Sequence, residues 1–471
     1  MLYTMYSKKA HIHFIGIGGI GMSGIAKILK HQGYHVSGCD IDLRKESVLE
    51  LTQLGCPISN EHNGIICQDE SIDIVVYSSA VQAHSPEIIA AQQRGIPTIP
   101  RALMLAELMR TKYSIAIAGS HGKTTTTSII SHILIETGLN PTVIIGGHLQ
   151  SINTNAQLGC GDFLVAEADE SDRSLLHLHA TLAVVTNIDL EHLETYRDIE
   201  DIKDTFKKFL NNLPFYGTAV LCLDDPHVRS ILPIQHLKTI TYGVEKIYGT
   251  YQTDVWADDI ILDAAQSTFT VWHKKSTAPL GTVTIHMPGR HNVLNAVGAL
   301  AMTHALGVPF EAAAQALATF SGVKRRFSYN GEFKGAEVFD DYGHHPNEII
   351  QTLAVARKRA KGRLHVVFQP HRYTRTNALW HSFVDVFVRS PIDRLIITDI
   401  YPASETPIAH ITSTRLVKEI KELNPGCNVS YTPYESSFER IITKLEQDIQ
   451  PGDLILLLGA GKINQIADLI V

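Results

Sequence analysis

The sequence predicts an α/β protein of three successive domains with mainly parallel sheets. The first and third domains are expected to be Rossmann-like, and the central one to resemble a P-loop ATPase. The 471 residues are enough for about three domains. Short β-branched runs alternate with helical stretches along most of the chain, which is the pattern of βαβ units. Two glycine-rich turns each follow a predicted strand and precede a predicted helix.

The predicted domains span residues 1–109, 110–322 and 323–471. In the first, the runs HIHFIG, HVSGCD, IDIVVYSS and IPTIP are separated by turn residues and are typical of short strands. Within the central domain, residues 248–286 alternate like hairpin strands and contain no good helix. We therefore expect an antiparallel appendage there.

The composition argues against several classes of partner. The net charge of -7 disfavours nucleic acid, because a phosphate backbone calls for broad basic faces. The six cysteines are scattered without a C-x-x-C pair, which is typical of reduced thiols in a cytosolic protein. No apolar run approaches the roughly 20 residues of a membrane span. We expect a cytoplasmic protein that binds neither nucleic acid nor membrane, and the oligomeric state stays open.

The first glycine-rich turn lies in HFIGIGGIGMSGIA, residues 13–26, and has the spacing G-x-G-x-x-G. Asp40 ends the next apolar run. Close backbone approach and a helix N-terminus suit a bound diphosphate. The same pattern occurs in enzymes that bind NAD, so an NAD-dependent oxidoreductase or a nucleotide-sensing module is the alternative from another class.

The second glycine-rich turn, AGSHGKTTTT at residues 118–127, is the more specific signal. Its pattern is G-x-x-G-K-T, which departs from a full P-loop because Ile117 stands where a glycine is usual. Lys123 is expected to reach the outer phosphates of ATP, and the Thr124 hydroxyl to bind Mg²⁺. The predicted phosphate-binding residues are Gly119, Ser120, His121, Gly122, Lys123, Thr124 and Thr125.

Acidic residues follow the next two predicted strands of the central domain. FLVAEADESD supplies Glu167, Asp169, Glu170 and Asp172, and VVTNIDLEH supplies Asp189, Glu191 and His192. Because α/β sheets gather ligands at the carboxyl ends of their strands, some of these groups should face the phosphate turn. One carboxylate with one neutral imidazole would make a second Mg²⁺ site. The residues alone do not decide which acids bind metal.

Amides and arginines form two further candidate groups. Asn292 and Asn295 lie three apart on a predicted helix, a spacing that suits either a nucleotide base or a polar helix surface. Arginines near strand ends commonly bind carboxylates and phosphates. The basic residues concentrated in KRRF and FQPHRYTRT are Lys324, Arg325, Arg326, Arg372 and Arg375.

The order of these motifs resembles the Mur ligase family. GIGGIGMSGIA, SHGKTTTT, EADESD, TNIDLEH, GRHN, RRF, DDYGHHP and QPHRYTR follow one another across nearly the whole chain. The resemblance implies ATP-dependent ligation in peptidoglycan precursor synthesis, with Mg²⁺ at two sites. It favours the branch that joins L-alanine to the carboxylate of UDP-N-acetylmuramate through an acyl phosphate. The nearest rival is the branch that attaches a whole tripeptide.

The resemblance also implies roles for single residues around ATP. Lys123 would bind the β- and γ-phosphates, Thr124 the first Mg²⁺, and Glu167 with His192 the second. Asn292 and Asn295 match the adenine-side asparagines. Arg326 would reach the γ-phosphate from the third domain, and Asp341 the ribose. The catalytic set expected from the resemblance is Lys123, Glu167, His192 and Arg326.

The remaining residues that match the family's motifs are expected to bind the two other substrates. In this family the first domain holds the UDP part of the substrate, and the third holds the amino acid. The residues expected near UDP are Gly16, Gly18, Gly19, Gly21, Asp40, Ser78 and Ser79. Those expected near the amino acid are Tyr342, His344, Arg372 and Arg375. Several relatives carry a carbamylated lysine where this chain has Phe206, so none is expected here.

Overall fold

Three sheets follow one another along the chain in the computed structural model. The structure describes residues 10–64, 69, 71–78, 81–82, 84–149, 154–403, 405–435 and 437–471. Each sheet is mainly parallel and is flanked by helices, so the predicted three-part α/β fold is confirmed. Within the described residues, no helix has the length and apolar character needed to cross a membrane.

The first sheet consists of five short parallel strands joined by helices. Its strands are β1 (His11–Ile15), β2 (His35–Cys39), β3 (Ile58–Ser59), β4 (Ile74–Tyr77) and β5 (Thr98–Pro100). Its helices are α1 (Ile20–His31), α2 (Glu46–Gln53), α3 (Pro86–Gln93) and α4 (Arg101–Met109). The spatial order is β3-β2-β1-β4-β5. The glycine turn after β1 therefore lies at the switch point where such sheets bind ligands.

The second sheet has ten strands. They are β6 (Tyr113–Ala118), β7 (Thr142–Leu149), β8 (Thr154–Gln157), β9 (Phe163–Glu167), β10 (Leu182–Val185), β11 (Thr218–Cys222), β12 (Lys238–Gly243), β15 (Val255–Leu262), β16 (Ser267–His273) and β17 (Gly281–Ile285). Their spatial order is β17-β16-β15-β12-β11-β10-β6-β9-β7-β8. Separately, β13 (Ile247–Tyr248) pairs with β14 (Tyr251–Gln252). The predicted antiparallel appendage is β15–β17, and it extends the parallel part of the sheet through β12.

Helices cover both faces of the second sheet. They are α5 (Lys123–Glu136), α6 (Ile199–Asn211), α7 (Pro226–Ser230), α8 (Arg290–Ala305) and α9 (Phe310–Thr319), with a short 3₁₀ helix at Ser174–His177. The helix α5 is buried along most of its length, because it lies between the sheet and α8 and α9. Its first residue directly follows the phosphate turn.

The third sheet has six strands. They are β18 (Ser328–Phe333), β19 (Ala336–Asp341), β20 (Leu364–Phe368), β21 (Arg394–Ile397), β22 (Val429–Tyr431) and β23 (Leu454–Leu458). Their spatial order is β18-β19-β23-β20-β21-β22. The helices are α10 (Pro346–Arg359), α11 (Tyr373–Ala378), α12 (Trp380–Arg389), α13 (Ser413–Leu423), α14 (Glu439–Asp448) and α15 (Gln465–Ile470). The C-terminal strand β23 is central to this sheet, and only β18 runs antiparallel.

The start of the amphipathic helix α6 and its buried face both follow from its sequence. Asp198 caps its first turn, since the side chain accepts a hydrogen bond from the Asp201 amide. Ile202, Phe206 and Phe209 then recur on one face and are at most 1% exposed. Phe206 therefore belongs to the hydrophobic core.

We expect Phe206→Ala to lower the free energy of unfolding by about 3–5 kcal/mol, because it leaves a cavity in a close-packed core. The neighbouring Lys207 is exposed, and Lys207→Ala should change stability by only about 0.5 kcal/mol. Urea unfolding of both variants checks this. Equal stability of the two variants would show that Phe206 does not support the core.

Candidate active site

The phosphate turn between β6 and α5 requires glycine at two positions. Gly119 has φ +136°, and a Cβ atom there would lie 2.0 Å from Thr186 Oγ1. Gly122 has φ +80°, and its Cβ atom would lie 2.5 Å from Asn295 Oδ1. The Thr186 and Asn295 side chains therefore pack directly against the backbone of the turn, which leaves no room for a Cβ atom at either glycine.

Two residues directly after β10, Thr186 and Asn187, hold the phosphate turn by hydrogen bonds to His121. Thr186 Oγ1 donates to the His121 carbonyl at 2.6 Å. Asn187 accepts from the His121 amide at 2.8 Å and donates to its carbonyl at 3.0 Å. Sequence reasoning quoted the TNID motif but assigned no role to Thr186 and Asn187. Their position, immediately after a strand that neighbours β6, was the available signal.

Lys123 lies at the centre of the turn and is paired with a buried carboxylate. Its Nζ donates to Glu170 Oε1 at 2.9 Å, and to the carbonyls of Gly119 at 2.5 Å and Ser120 at 3.1 Å. Burial opposes the charge of Lys123, but Glu170 raises its pKa above the usual value. The ammonium therefore stays charged where ATP phosphates would approach.

Thr124 and Glu167 provide adjacent oxygen atoms beside Lys123. The Thr124 hydroxyl donates to Glu167 Oε2 at 3.2 Å, and the Gly146 amide donates to Oε1 at 2.8 Å. Burial raises the pKa of Glu167. A hydroxyl next to a carboxylate is a ligand set that Mg²⁺ prefers, so these two residues fit a first metal site.

His192 lies beside Glu170 and Glu191, whereas the sequence analysis paired it with Glu167. Its Nε2 is 3.6 Å from an oxygen of each carboxylate. Of the described groups that could hold a metal ion, the one containing His192 is completed by Glu170 and Glu191, without Glu167. Burial opposes the charge of His192, but Glu170 and Glu194 raise its pKa to about 9. A joint metal site of Glu167 and His192 stays a prediction.

A cavity of about 370 Å³ separates the phosphate turn from the third sheet. Apolar walls from Tyr242, Met287 and Val355 suit the faces of a nucleotide base. The cavity brings together four residues that the sequence analysis associated with ATP: Asn292, Asn295, Arg326 and Asp341. Asp341 also accepts hydrogen bonds from the Phe327 and Gly343 amides, which holds it in place.

The first turn of α10 connects the third sheet to the phosphate turn. His121 contacts Asp189 Oδ2 through Nε2 at 3.0 Å and Glu348 Oε1 through Nδ1 at 3.3 Å. Asn347 donates to Asp189 Oδ2 at 2.5 Å. Burial opposes the charge of His121, but the two carboxylates raise its pKa to about 10. The sequence analysis assigned no role to Glu348 and missed this connection.

The glycine turn of the first sheet is organised by Asp40. The Gly18 amide donates to Asp40 Oδ2 at 2.8 Å, and Lys45 Nζ lies 2.8 Å from Oδ1. Gly19 caps α1 and Gly21 lies in its first turn. Ser78 lies beside Gly16, whereas Ser79 is outside the described residues. The structure shows Asp40 stabilising the turn, and its contact with uridine stays a prediction.

The four residues expected near the amino acid lie beyond β19 and β20. The Tyr342 and His344 rings are 5.4 Å apart, and His344 lies 5.9 Å from His371. Arg375 Nη1 is 3.2 Å from His371 Nδ1, and Arg372 Nη1 is 3.1 Å from Glu194 Oε1 on the second sheet's side. Tyr342, His344 and Arg375 are thus linked through His371, which sequence reasoning missed, whereas Arg372 is paired with Glu194.

Comparisons with known proteins agree with this geometry. The model described as "Mur ligase family, catalytic domain" matches residues 11–113, "Mur ligase middle domain" 117–303, and "Mur ligase, glutamate ligase domain" 325–461. A UDP-N-acetylmuramate–L-alanine ligase of Geotalea daltonii is 49% identical, covering 99% of this chain and 98% of that relative. The chain belongs to the Mur ligase family.

Another relative and two solved structures are also similar to this chain over nearly its whole length. A UDP-N-acetylmuramate–L-alanine ligase of Syntrophus aciditrophicus is 48% identical, over 98% of this chain and 93% of that relative. The crystal structure of the UDP-N-acetylmuramate-alanine ligase of Thermotoga maritima has a TM-score of 0.79 at 27% identity, covering 98% of each chain. A murein peptide ligase of Psychrobacter arcticus shares the fold, with a TM-score of 0.73 at 24% identity and 98% of each chain covered. Membership of this ligase family contradicts the oxidoreductase alternative.

The two glycines Gly122 and Gly138 allow a matched test of the phosphate turn. Both have positive φ, but a Cβ atom at Gly138 has no neighbour within 4 Å. Each change to alanine should cost about 1–2 kcal/mol of stability through backbone strain. Only Gly122→Ala should also weaken ATP binding, by roughly tenfold or more, because it displaces the preorganised amides. Calorimetric titration with ATP measures this, and equal affinities would contradict the assignment of the turn.

Proposed function

We propose that this chain joins L-alanine to the carboxylate of UDP-N-acetylmuramate with conversion of ATP to ADP and phosphate. The observation that carries the proposal is a single cleft, lined by His121 and Gly122 of the phosphate turn on one side and by Arg326 and Asp341 on the other. The Arg326 guanidinium lies 5.4 Å from the centre of the Tyr342 ring and 3.8 Å from Glu348. The 48–49% identical relatives named for these substrates support it.

The chemistry requires activation, because a carboxylate is a poor acyl donor. A carboxylate oxygen attacks the γ-phosphorus of ATP, the bond to the ADP oxygen breaks, and an acyl phosphate results. The amine of L-alanine then attacks the acyl carbon, and the tetrahedral intermediate loses phosphate to give the amide. The protein contributes positioning and charge stabilisation, for which Lys123 and Arg326 are suited.

Bound Mg²⁺ would neutralise charge on the phosphates. Thr124, with Glu167 beside it, would hold the first ion. His192 would hold the second, either with Glu167, as the resemblance implies, or with the nearer Glu170 and Glu191. His192 must lose its proton to bind a metal, so its raised pKa opposes binding there. Asn292, Asn295 and Asp341 would orient the adenosine in the cavity.

The first sheet would hold the UDP portion. The amides of Gly16, Gly18 and Gly19 are bonded within the turn, so the start of α1 would present the free amides to a diphosphate. Asp40 and Ser78 lie at the same crevice. The substrate would then extend toward the second sheet, where its carboxylate meets ATP. Such a precursor-forming enzyme would work in the cytoplasm.

The third sheet would select the amino acid. Arg372 and Arg375 can bind a carboxylate through paired hydrogen bonds, which a lysine cannot reproduce. Tyr342 and His344 would limit the space for the side chain. The tripeptide-adding alternative shares this fold, so the amino-acid panel below is the experiment that separates the two.

ADP release with UDP-N-acetylmuramate and a panel of amino acids tests the proposed function. L-Alanine should be the best acceptor. Glycine and L-serine should be poor but detectable, because a small apolar pocket separates ligands that differ by one methylene by only about 1–3 kcal/mol. Use of L-alanyl-D-glutamyl-meso-diaminopimelate without use of L-alanine would overturn the proposal and leave the family assignment standing.

Arg375→Lys should raise the KM for L-alanine much more than the KM for ATP, because the paired hydrogen bonds to its carboxylate are lost. Arg389 is an exposed arginine paired with Asp385, so Arg389→Lys is the matched control and should change neither constant. Steady-state kinetics with each substrate varied in turn provide the values. An unchanged KM for L-alanine in Arg375→Lys would remove this residue from the amino-acid site.

A further inference from the structure

A buried polar joint connects the first sheet's helix α1 to strand β8 of the second sheet. Its centre is Asn155, which is 1% exposed. The Asn155 amide nitrogen donates to the Ile20 carbonyl at 2.6 Å and to Ser23 Oγ at 3.0 Å. Its carbonyl oxygen accepts from Lys27 Nζ at 2.7 Å. Both amide protons and the carbonyl oxygen are therefore used between the two sheets.

Lys27 completes the joint from the side of α1. It is 4% exposed, which is unusual for a lysine, and burying its charge is costly unless oxygen atoms surround it. Besides Asn155, the ammonium donates to Thr154 Oγ1 at 3.2 Å and forms an ion pair with Glu50 of α2. The packing is close, since a Cβ atom at Gly24 would lie 3.4 Å from Ala156. The helix α1 and strand β8 therefore pack closely at the joint.

The joint lies between two elements of the active site. The helix α1 begins directly after the glycine turn, and Asn155 binds the carbonyl of its first residue. On the other side, β8 pairs with β7, with Ala156 opposite Ile144. Two residues further along β7, the Gly146 amide binds Glu167. A few residues of strand, at about 3.3 Å per residue, thus separate the joint from a candidate metal ligand.

We propose that Asn155 and Lys27 are positioning residues, which set the distance between the diphosphate turn and the phosphate turn. The inference rests on the proposed function, because one substrate must then span both turns. Its diphosphate is held at the first sheet while its carboxylate must align with the γ-phosphate at the second. A misplacement of 1 Å in such an arrangement costs roughly 100-fold in rate.

The test uses Asn155→Ala and Lys27→Met in the full chain, with Lys30→Met as matched control. Lys30 lies on the same helix, and its Nζ donates to the Gly55 carbonyl within the first sheet's own region. The two joint variants should lower kcat roughly 10- to 100-fold. The Kd values for UDP-N-acetylmuramate alone and for ATP alone should stay unchanged, and the control should match the wild type. Asn155→Asp, which keeps the acceptor for Lys27 and loses the donors to α1, should also lower kcat.

Unchanged kcat in Asn155→Ala and Asn155→Asp would overturn the proposal, as would a rate loss fully matched by weaker binding of either nucleotide. A double-mutant cycle of thermal unfolding on Lys27 and Asn155 gives a measure that needs no reaction. The proposal expects a non-additive cycle, and additive effects would contradict a shared joint. A wild type that released no ADP with L-alanine would contradict the proposed function, and the cycle alone would then decide whether the joint exists.

Discussion

The arrangement of the active site depends on the buried ion pair between Lys123 and Glu170. It joins the phosphate turn to the end of β9, and Glu170 in turn lies 3.6 Å from His192 after β10. Removing one member of a buried pair leaves an uncompensated charge, which typically costs about 3–5 kcal/mol. The same carboxylate therefore keeps Lys123 charged, raises the pKa of His192 and links the ends of two strands.

Polar contacts between sheets bring the three parts of the chain to one cleft. Asn155 connects the second sheet to the glycine turn of the first. His121 connects the phosphate turn to Glu348 of the third sheet, and Arg372 reaches Glu194. A ligase of this type needs three substrates in contact at one point, although in the proposed arrangement each is bound by a different part of the chain. These interdomain contacts supply the required geometry.

Much of this could be predicted from local sequence signals. Strand–turn–helix patterns located both glycine-rich turns, and the appendage at β15–β17 followed from its alternation. The contacts that determine the roles of single residues could not be predicted in the same way, because they join side chains far apart in the chain. Glu170 could not be separated from Glu167 by chemistry alone, and Thr186 and Asn187 look like ordinary turn residues. Asp40 was expected near UDP, whereas in the structure its carboxylate accepts a hydrogen bond from the Gly18 amide.

The central claim is that the substrate carboxylate is activated by phosphorylation in this cleft. Supplying UDP-N-acetylmuramate with both carboxylate oxygens labelled with oxygen-18, together with ATP and L-alanine, tests it most directly. Phosphorylation followed by loss of phosphate must carry one labelled oxygen into each phosphate released, which mass spectrometry of the phosphate detects. The account predicts one labelled oxygen per phosphate. Unlabelled phosphate, with the oxygen lost from the carboxylate found in AMP or in water, would contradict it.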